Sequence, residues 1–300
     1  MLIDLHMHSR NSDGADTIEE LVNNVKEAGI SVFALTDHDR TDGWERASVK
    51  ANELGLSFIP GIEITTEARV SDSKPFGIHL LAYLPNPNDP VLIDILDMNR
   101  NSREYRMKKY LTNLQRDYPA LTYEFVLSHA EKGSTLGRPD IGKALVELGV
   151  VASVDEAFKP GGILSKSSPH YVRNEALDVL DAIKIVRNAG GVPVIAHPLA
   201  RSSKNKDDQP QFFPREHFLK MVEAGLLGLE TSHTEVQPET KLVLDEFAAE
   251  QGLLITGSSD YHGLSNKPRN PLGIKTTTVE NLRRIIELGT GFKPTLNHEI

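Results

Sequence analysis

The chain contains no cysteine. That absence removes disulfides, thiolate-held metals and cysteine nucleophiles from its chemistry, while saying little about compartment. There is no basic surplus either: 33 Lys and Arg stand against 42 Asp and Glu, a net charge of −9. Proteins that grip duplex nucleic acid carry a basic face to neutralise phosphates. Broad backbone binding is therefore not expected, whereas phosphate-bearing small molecules and nucleic-acid ends stay open. No apolar run reaches the ~20 residues of a membrane-spanning helix, and the first residues show no basic-then-apolar leader. The expectation is a cytoplasmic protein with no membrane partner. What is present, 39% hydrophobic and 25% charged residues over 300 positions, suits one large α/β domain or two smaller ones.

Short apolar runs alternate with amphipathic helical stretches. Ile3 to Leu5 reads as a strand, and Thr17-x-x-Glu20 is a capping box opening a helix that Gly29 closes. Ser31 to Thr36 is a buried strand running into Asp37-His38-Asp39, and a helix from Trp44 to Leu54 stops at Gly55. Phe58 to Ile64, interrupted by Pro60-Gly61, and Ile78 to Leu84 read as the next two strands. After a turn cluster from Pro85 to Pro90, the chain reads almost wholly helical to about Asn188, its basic stretch from Arg100 to Arg116 being a solvated helix face. Strands then return at Val192 to Ala196, Leu226 to Glu230 and Leu253 to Thr256, with helices between them. Polar Arg201 to Phe213 is long enough to act as a lid. The expected organisation is a main domain of 1–97 and 173–300 carrying a helical insertion, 98–172, which caps the active site. Seven strands joined by helices favour a closed α/β barrel with its site at the strands' C-terminal ends.

Those ends are where the unusual residues collect. His6 and His8 lie one residue apart after the first strand, so on an extended chain both imidazoles face one way. Alone, the pair reads as readily as two surface histidines. Later stretches add Asp13, His38, Glu63, His79, His197, Asp260 and His262, and Asp260-Tyr261-His262 repeats the alternate-residue spacing. Six of the eleven histidines thus join three carboxylates drawn from separate elements. Imidazole with carboxylate suits Zn2+, Mn2+ or Fe2+, whereas Mg2+ favours oxygen alone. His79 fits less well, falling at the start of its apolar run: either that strand begins earlier, or His79 points inward from mid-strand as a satisfied core histidine.

The succession Asp4-Leu5-His6-Met7-His8-Ser9, Thr36-Asp37-His38-Asp39, Pro60-Gly61-Ile62-Glu63, Ile78-His79, Ala196-His197-Pro198 and Ser259-Asp260-Tyr261-His262 resembles the PHP (polymerase and histidinol phosphatase) family. Within it, Gly137-Arg138-Pro139 is similar to a segment of stand-alone members that act on nucleoside 3′,5′-bisphosphates and on short RNA 5′ ends. The resemblance implies a distorted (β/α)7 barrel holding two or three divalent ions. His6, His8, Glu63 and Asp260 would hold one, Glu63 would bridge to a second with His79 and His197, and Asp13, His38 and His262 would hold a third. Those relatives often carry His where this chain has Asp140.

Clustered cations lower the pKa of bound water from ~15.7 towards ~7 and neutralise phosphate charge, so hydrolysis of a phosphate ester by a metal-bridging hydroxide is the expected reaction. Glu63, Asp260 and His233 are its candidate catalytic residues, His233 as a donor to the substrate or leaving oxygen. Arg138, Arg201 and His233 are candidate substrate contacts, since guanidinium groups bind phosphate bidentately; each arginine also reads as a surface residue. Asp37 and Asp39 are expected to orient imidazoles from behind. A histidinol-phosphatase-like monoesterase and a non-catalytic PHP regulatory module are the alternatives. An amidohydrolase is disfavoured because no lysine sits at a strand end beside the histidines.

Overall fold

The structure, a computed structural model, describes residues 1–69, 75–129, 136–173, 176–198 and 215–300. The chain forms two compact units, 1–96 with 176–300 and 97–175.

The first unit opens with β1 (Ile3–Asp4), α1 (Ile18–Glu27), β2 (Val32–Leu35), α2 (Trp44–Leu54), β3 (Ser57–Ala68) and β4 (Phe76–Tyr83). Four helices, α3 (Pro90–Leu114), α4 (Tyr123–Leu127), α5 (Arg138–Glu147) and α6 (Val154–Phe158), precede β5 (Leu177–Asp178), α7 (Val179–Asn188) and β6 (Val192–Ile195). Then follow α8 (Arg215–Glu223), β7 (Gly228–Ser232), α9 (Pro238–Gln251), β8 (Leu254–Gly257) and α10 (Val279–Leu288). No helix among the described residues is long and apolar enough to cross a membrane.

Seven strands follow one hydrogen-bonded path, β1-β2-β3-β4-β6-β7-β8, and two-residue β5 pairs with β3 beside it. A parallel bridge between Met7 and Tyr261 joins the outermost strands just past their ends, so the sheet curls into a nearly closed barrel. Alternation along the strands sorts the core. In β2, Val32 and Ala34 join Ile3, Leu5, Ile59, Val194 and Leu254 in an inner cluster, to which α10 adds Leu282 and Ile285. Phe33 and Leu35 turn to the helices instead, meeting Leu21, Val22 and Val25 of α1 and Ala47 and Ala51 of α2. Strands buried on both faces must read as continuous apolar runs, which is why these were visible in the sequence.

Three details differ from the sequence reading. β3 runs unbroken through Pro60 and Gly61, and both carbonyls keep partners: Pro60 accepts from the Leu84 amide at 2.8 Å and Gly61 from the Trp44 indole at 2.9 Å. β4 begins at Phe76 and runs antiparallel to both β3 and β6, so the barrel path contains one reversed strand and one hairpin. Helix α10 was not anticipated, and Leu177–Asp178, within the stretch read as helical, forms the strand β5.

The second unit has its own core, with Met107, Tyr110, Leu111 and Leu114 of α3 against Val126, Ile141, Ala144, Leu145, Ala157 and Leu164.

At the N-terminus of α1 the capping box is complete: the Glu20 amide donates to Thr17 Oγ1 at 3.2 Å and the Thr17 amide to Glu20 Oε2 at 2.8 Å. Thr17→Ala removes the acceptor, and the expected loss is about 1 kcal/mol of unfolding free energy, read from a urea melt, with no change in ion binding.

Candidate metal centre

The candidate ligands lie at or just beyond barrel strand ends, except Glu63 and His79, which lie within β3 and β4. Beyond β1 the chain stays extended, with Met7 donating to Thr36 Oγ1 at 3.2 Å and accepting from the Thr36 amide at 3.0 Å. Met7 therefore points into the core while His6 and His8, its neighbours, face the other way, both with no exposure. A parallel bridge from His38 to Glu63 carries β2's end to mid-β3. His79 pairs with Thr65 across the hairpin. Because β4 is reversed, its beginning lies at the rim where the parallel strands end, which resolves its odd place in the sequence. Beyond β6 and β8, His197 and Asp260 take positive φ values of 27° and 52°. Such strain persists where surrounding contacts over-determine the backbone.

Among the described residues these side chains form three overlapping groups, in each of which the ligand atoms lie within 4.8 Å of one another. One is His6, His8, Glu63 and Asp260; one is His38, Glu63 and His79; one is His8, Asp13, His38 and His262. His197 Nε2 is 3.2 Å from Glu63 Oε1, beside His79 Nδ1 at 2.7 Å from the same oxygen. The structure thus brings all nine expected residues together. It also shares His8 and His38 between groups, where the sequence reading gave each to one.

Whether the set suits cations is testable on its atoms. His6 Nε2 and His8 Nε2 face each other at 3.1 Å. Asp260 Oδ1 lies 3.3–3.5 Å from His6, His8 and His262 nitrogens, yet is buried with no hydrogen-bond partner among the described residues. Acceptor atoms turned on one point, unsatisfied by each other, are what a divalent ion would fill. The electrostatics agree. Burial would raise the Glu63 carboxyl, but His38, His79 and His6 hold it well below the usual range. Burial likewise opposes charge on His8, and Asp260 and Glu63 nevertheless push it up to about 9. Without metal, the cluster is a set of buried charges depending on one another.

Several outer residues were misjudged or unseen. Asp37 accepts from the Ser9 amide and hydroxyl at 2.8 and 2.6 Å and from the Ser12 hydroxyl at 2.7 Å, and Ser12 Oγ in turn lies 3.4 Å from His8 Nδ1. Asp37 thus acts on His8 through a serine. Asp39 accepts from the amide and hydroxyl of Thr65 at 2.9 and 2.7 Å, bracing β3. Glu230, unassigned by the sequence, lies 3.0 Å from His6 Nδ1; its place at a strand end before His233 was the available signal. Lys267 Nζ lies 2.6 Å from Asp260 Oδ2. His233 is buried beside the cluster, its Nε2 3.5 Å from the same oxygen. In the second unit, the Arg138 guanidinium lies 4.8 Å from the Phe158 ring centroid and donates to the Leu164 carbonyl. Asp140 caps its helix, Oδ2 accepting from the Gly137 amide at 2.9 Å. Arg201 and the expected lid to Phe213 lie outside the described residues.

Comparison with known proteins places this geometry. The PHP domain matches residues 4–158. The chain belongs to the PHP-domain family. A 5′-3′ exoribonuclease of Haemophilus influenzae is 29% identical over 86% of this chain and 89% of its own. A 3′,5′-nucleoside bisphosphate phosphatase of Chromobacterium violaceum is 27% identical over 87% of each. The crystal structure of a metal-dependent phosphoesterase from Bifidobacterium adolescentis superposes with a TM-score of 0.83, at 33% identity over 96% of each chain. Family, barrel and ligand cluster together make this chain a metal-dependent phosphoester hydrolase.

Because these groups are brought together only in the folded chain, bound metal should stabilise the fold by mass action, about 2.7 kcal/mol at a hundredfold excess over its dissociation constant. Chelator treatment should lower the melting temperature, and readdition of Mn2+ should restore it. An unchanged melt after verified metal removal would dissolve the cluster assignment.

Proposed function

We propose that the chain hydrolyses a phosphate ester of a nucleotide or short oligonucleotide, either a 3′,5′-bisphosphonucleotide or a 5′-phosphorylated RNA end. The observation that carries the chemistry is the Glu63 carboxylate, which belongs to two of the three ligand groups. The substrate class is supported by the exoribonuclease and the bisphosphate phosphatase, whose similarity runs over 86–87% of this chain.

In this reading His6, His8, Glu63 and Asp260 hold one ion, Glu63 with His79 and His197 a second, and Asp13, His38 and His262 a third, with Mn2+, Fe2+ or Zn2+ as the fitting metals. When bound, such ions polarise the phosphate and supply a nucleophile at neutral pH. The chain's own part is positioning and proton handling. His233 Nδ1 accepts from the Glu235 amide at 3.1 Å, which leaves the ring proton on Nε2. That N–H points towards the cluster beside Asp260 and has no hydrogen-bond partner among the described residues. It is a hydrogen-bond donor available to the leaving oxygen. Arg138 and Arg201 are proposed as phosphate contacts from their sequence context alone; within its own unit the Arg138 guanidinium packs among the rings of Tyr110, Phe158 and Tyr171.

Two measurements test this. A substrate panel in Mn2+ should favour adenosine 3′,5′-bisphosphate or short 5′-phosphorylated RNA over histidinol phosphate; preference for the last would move the substrate class. On the favoured substrate His233→Ala should lower kcat by ~10²-fold or more, while p-nitrophenyl phosphate, whose leaving group needs no proton, loses little and metal content stays unchanged. Equal losses on both esters would remove His233 from stabilising the leaving oxygen. In the same panel Arg138→Lys, which keeps charge but not the planar fork, should impair the bisphosphate more than the p-nitrophenyl ester.

A further inference from the structure

Four strand ends meet on one carboxylate that the metal reading leaves without a task. Glu230, in β7, has no exposure. Its two oxygens lie 3.0 and 3.2 Å from His6 Nδ1, Oε2 accepts the His197 amide at 2.9 Å, and Oε1 accepts the Ser258 hydroxyl. These partners stand just beyond β1, β6 and β8. An ionised carboxylate only accepts hydrogen bonds, so His6 carries a proton on Nδ1 and turns Nε2 to the cluster. There Nε2 meets His8 Nε2 at 3.1 Å, Glu63 Oε2 at 3.3 Å and Asp260 Oδ1 at 3.5 Å.

We propose that Glu230 is a positioning residue that fixes the Nδ1-protonated tautomer of His6 and raises the basicity of its Nε2. On that account the His6, His8, Glu63 and Asp260 group becomes the tightest of the three for a divalent cation. The inference rests on the metal-centre reading. Its warrant is the contrast with neighbouring rings. His8 Nδ1 faces the Ser12 hydroxyl at 3.4 Å, and His262 Nδ1 faces the Asp260 backbone oxygen at 2.9 Å. In both the nearest acceptor is neutral and a carboxylate oxygen lies further off, Asp13 Oδ1 at 3.6 Å from His8 Nδ1 and Asp260 Oδ1 at 3.3 Å from His262 Nδ1. Both Glu230 oxygens, by contrast, sit directly on His6 Nδ1, and a negatively charged acceptor held directly behind an imidazole makes it the stronger ligand. The same carboxylate holds the strained His197 backbone, at φ 27°, through its amide. Orientation of His6 and of the His197 turn are therefore set by one side chain.

Glu230→Gln is the decisive change because it preserves shape. Glutamine offers one acceptor oxygen and one donor group, yet the site presents an imidazole N–H, an amide N–H and a hydroxyl. Turned so that its oxygen accepts from the His197 amide and His6 Nδ1, its NH2 faces the Ser258 hydroxyl, which can rotate to accept, so what the change removes is the negative charge behind His6. Metal-free full-length protein titrated with Mn2+ against a chelating dye should show the tightest equivalent weakened ~10–100-fold, with distinctly smaller losses in the weaker equivalents. In zinc-loaded wild type, nitrogen-15 NMR should show a slowly exchanging proton on His6 Nδ1 with Nε2 bound to metal, a readout that needs no variant to fold. Zinc on Nδ1, or no such proton, would overturn the proposal. So would wild-type Mn2+ affinity in Glu230→Gln, or equal weakening of every equivalent, which would make Glu230 a general strut. Wild-type protein that binds neither ion would bring down the metal-centre reading itself, a result distinct from a variant that merely matches wild type.

Discussion

Five imidazoles converge on the Glu63 carboxylate. His8, His38 and His6 stand 3.1, 3.2 and 3.3 Å from Oε2, and His79 and His197 stand 2.7 and 3.2 Å from Oε1. An ion buried to this degree is tolerated only if its surroundings answer the charge. The five rings come from four strand ends besides Glu63's own, so the answer exists only when the barrel is nearly closed and those ends are level. The site and the fold are in this sense one requirement. Nothing in α1 or α2 could compensate for a slipped β1, because a one-residue slip would turn His6 and His8 into the core and Met7 outward.

The reversed β4 follows from the same requirement. In a parallel strand ending at Tyr83, His79 would sit four residues below the rim, about 13 Å at ~3.3 Å per residue, out of reach of Glu63. Running antiparallel, the strand brings His79 opposite Thr65, two residues from Glu63 on the partner strand. The sequence could not show this. An apolar run such as Ile78 to Leu84 reads alike in both directions, and only the position of the histidine within it hinted at the reversal.

What was legible was local. Alternate-residue pairs such as His6 with His8 and Asp260 with His262 declare their common face without knowledge of any partner, and the Thr17 capping box declares its own helix start. Glu230 was not legible as a positioning residue because its partner His6 lies 224 residues away; at its own position it is one more glutamate ending an apolar strand. How Asp37 and Asp39 brace the site was not legible for a similar reason. Short carboxylates beside a turn are captured by whichever hydroxyls and amides the turn brings near, and here these are Ser9, Ser12 and Thr65. Pro60 and Gly61 misled in the opposite direction, since residues that usually break strands survive in β3, where both carbonyls keep partners.

Burial grades across the cluster and gives it a direction. The side chains of His6 and His8 have no exposure and Glu63 has 1%, whereas Asp13, which joins His8, His38 and His262, is 41% exposed. A charged ligand or ion approaching from solvent therefore meets the Asp13 side first, where water still screens and exchange is cheap. The far side, backed by Glu230 and Asp260, is dry, and there each electrostatic contact is stronger because less water screens it. Sharing His8 and His38 between groups ties the two sides together, so an ion on the open side and one on the buried side draw on the same rings. Their affinities are then coupled rather than independent. On the proposed reading, such a cluster would hold an ion on its buried side as part of the structure and leave the Asp13 side open to an arriving phosphate.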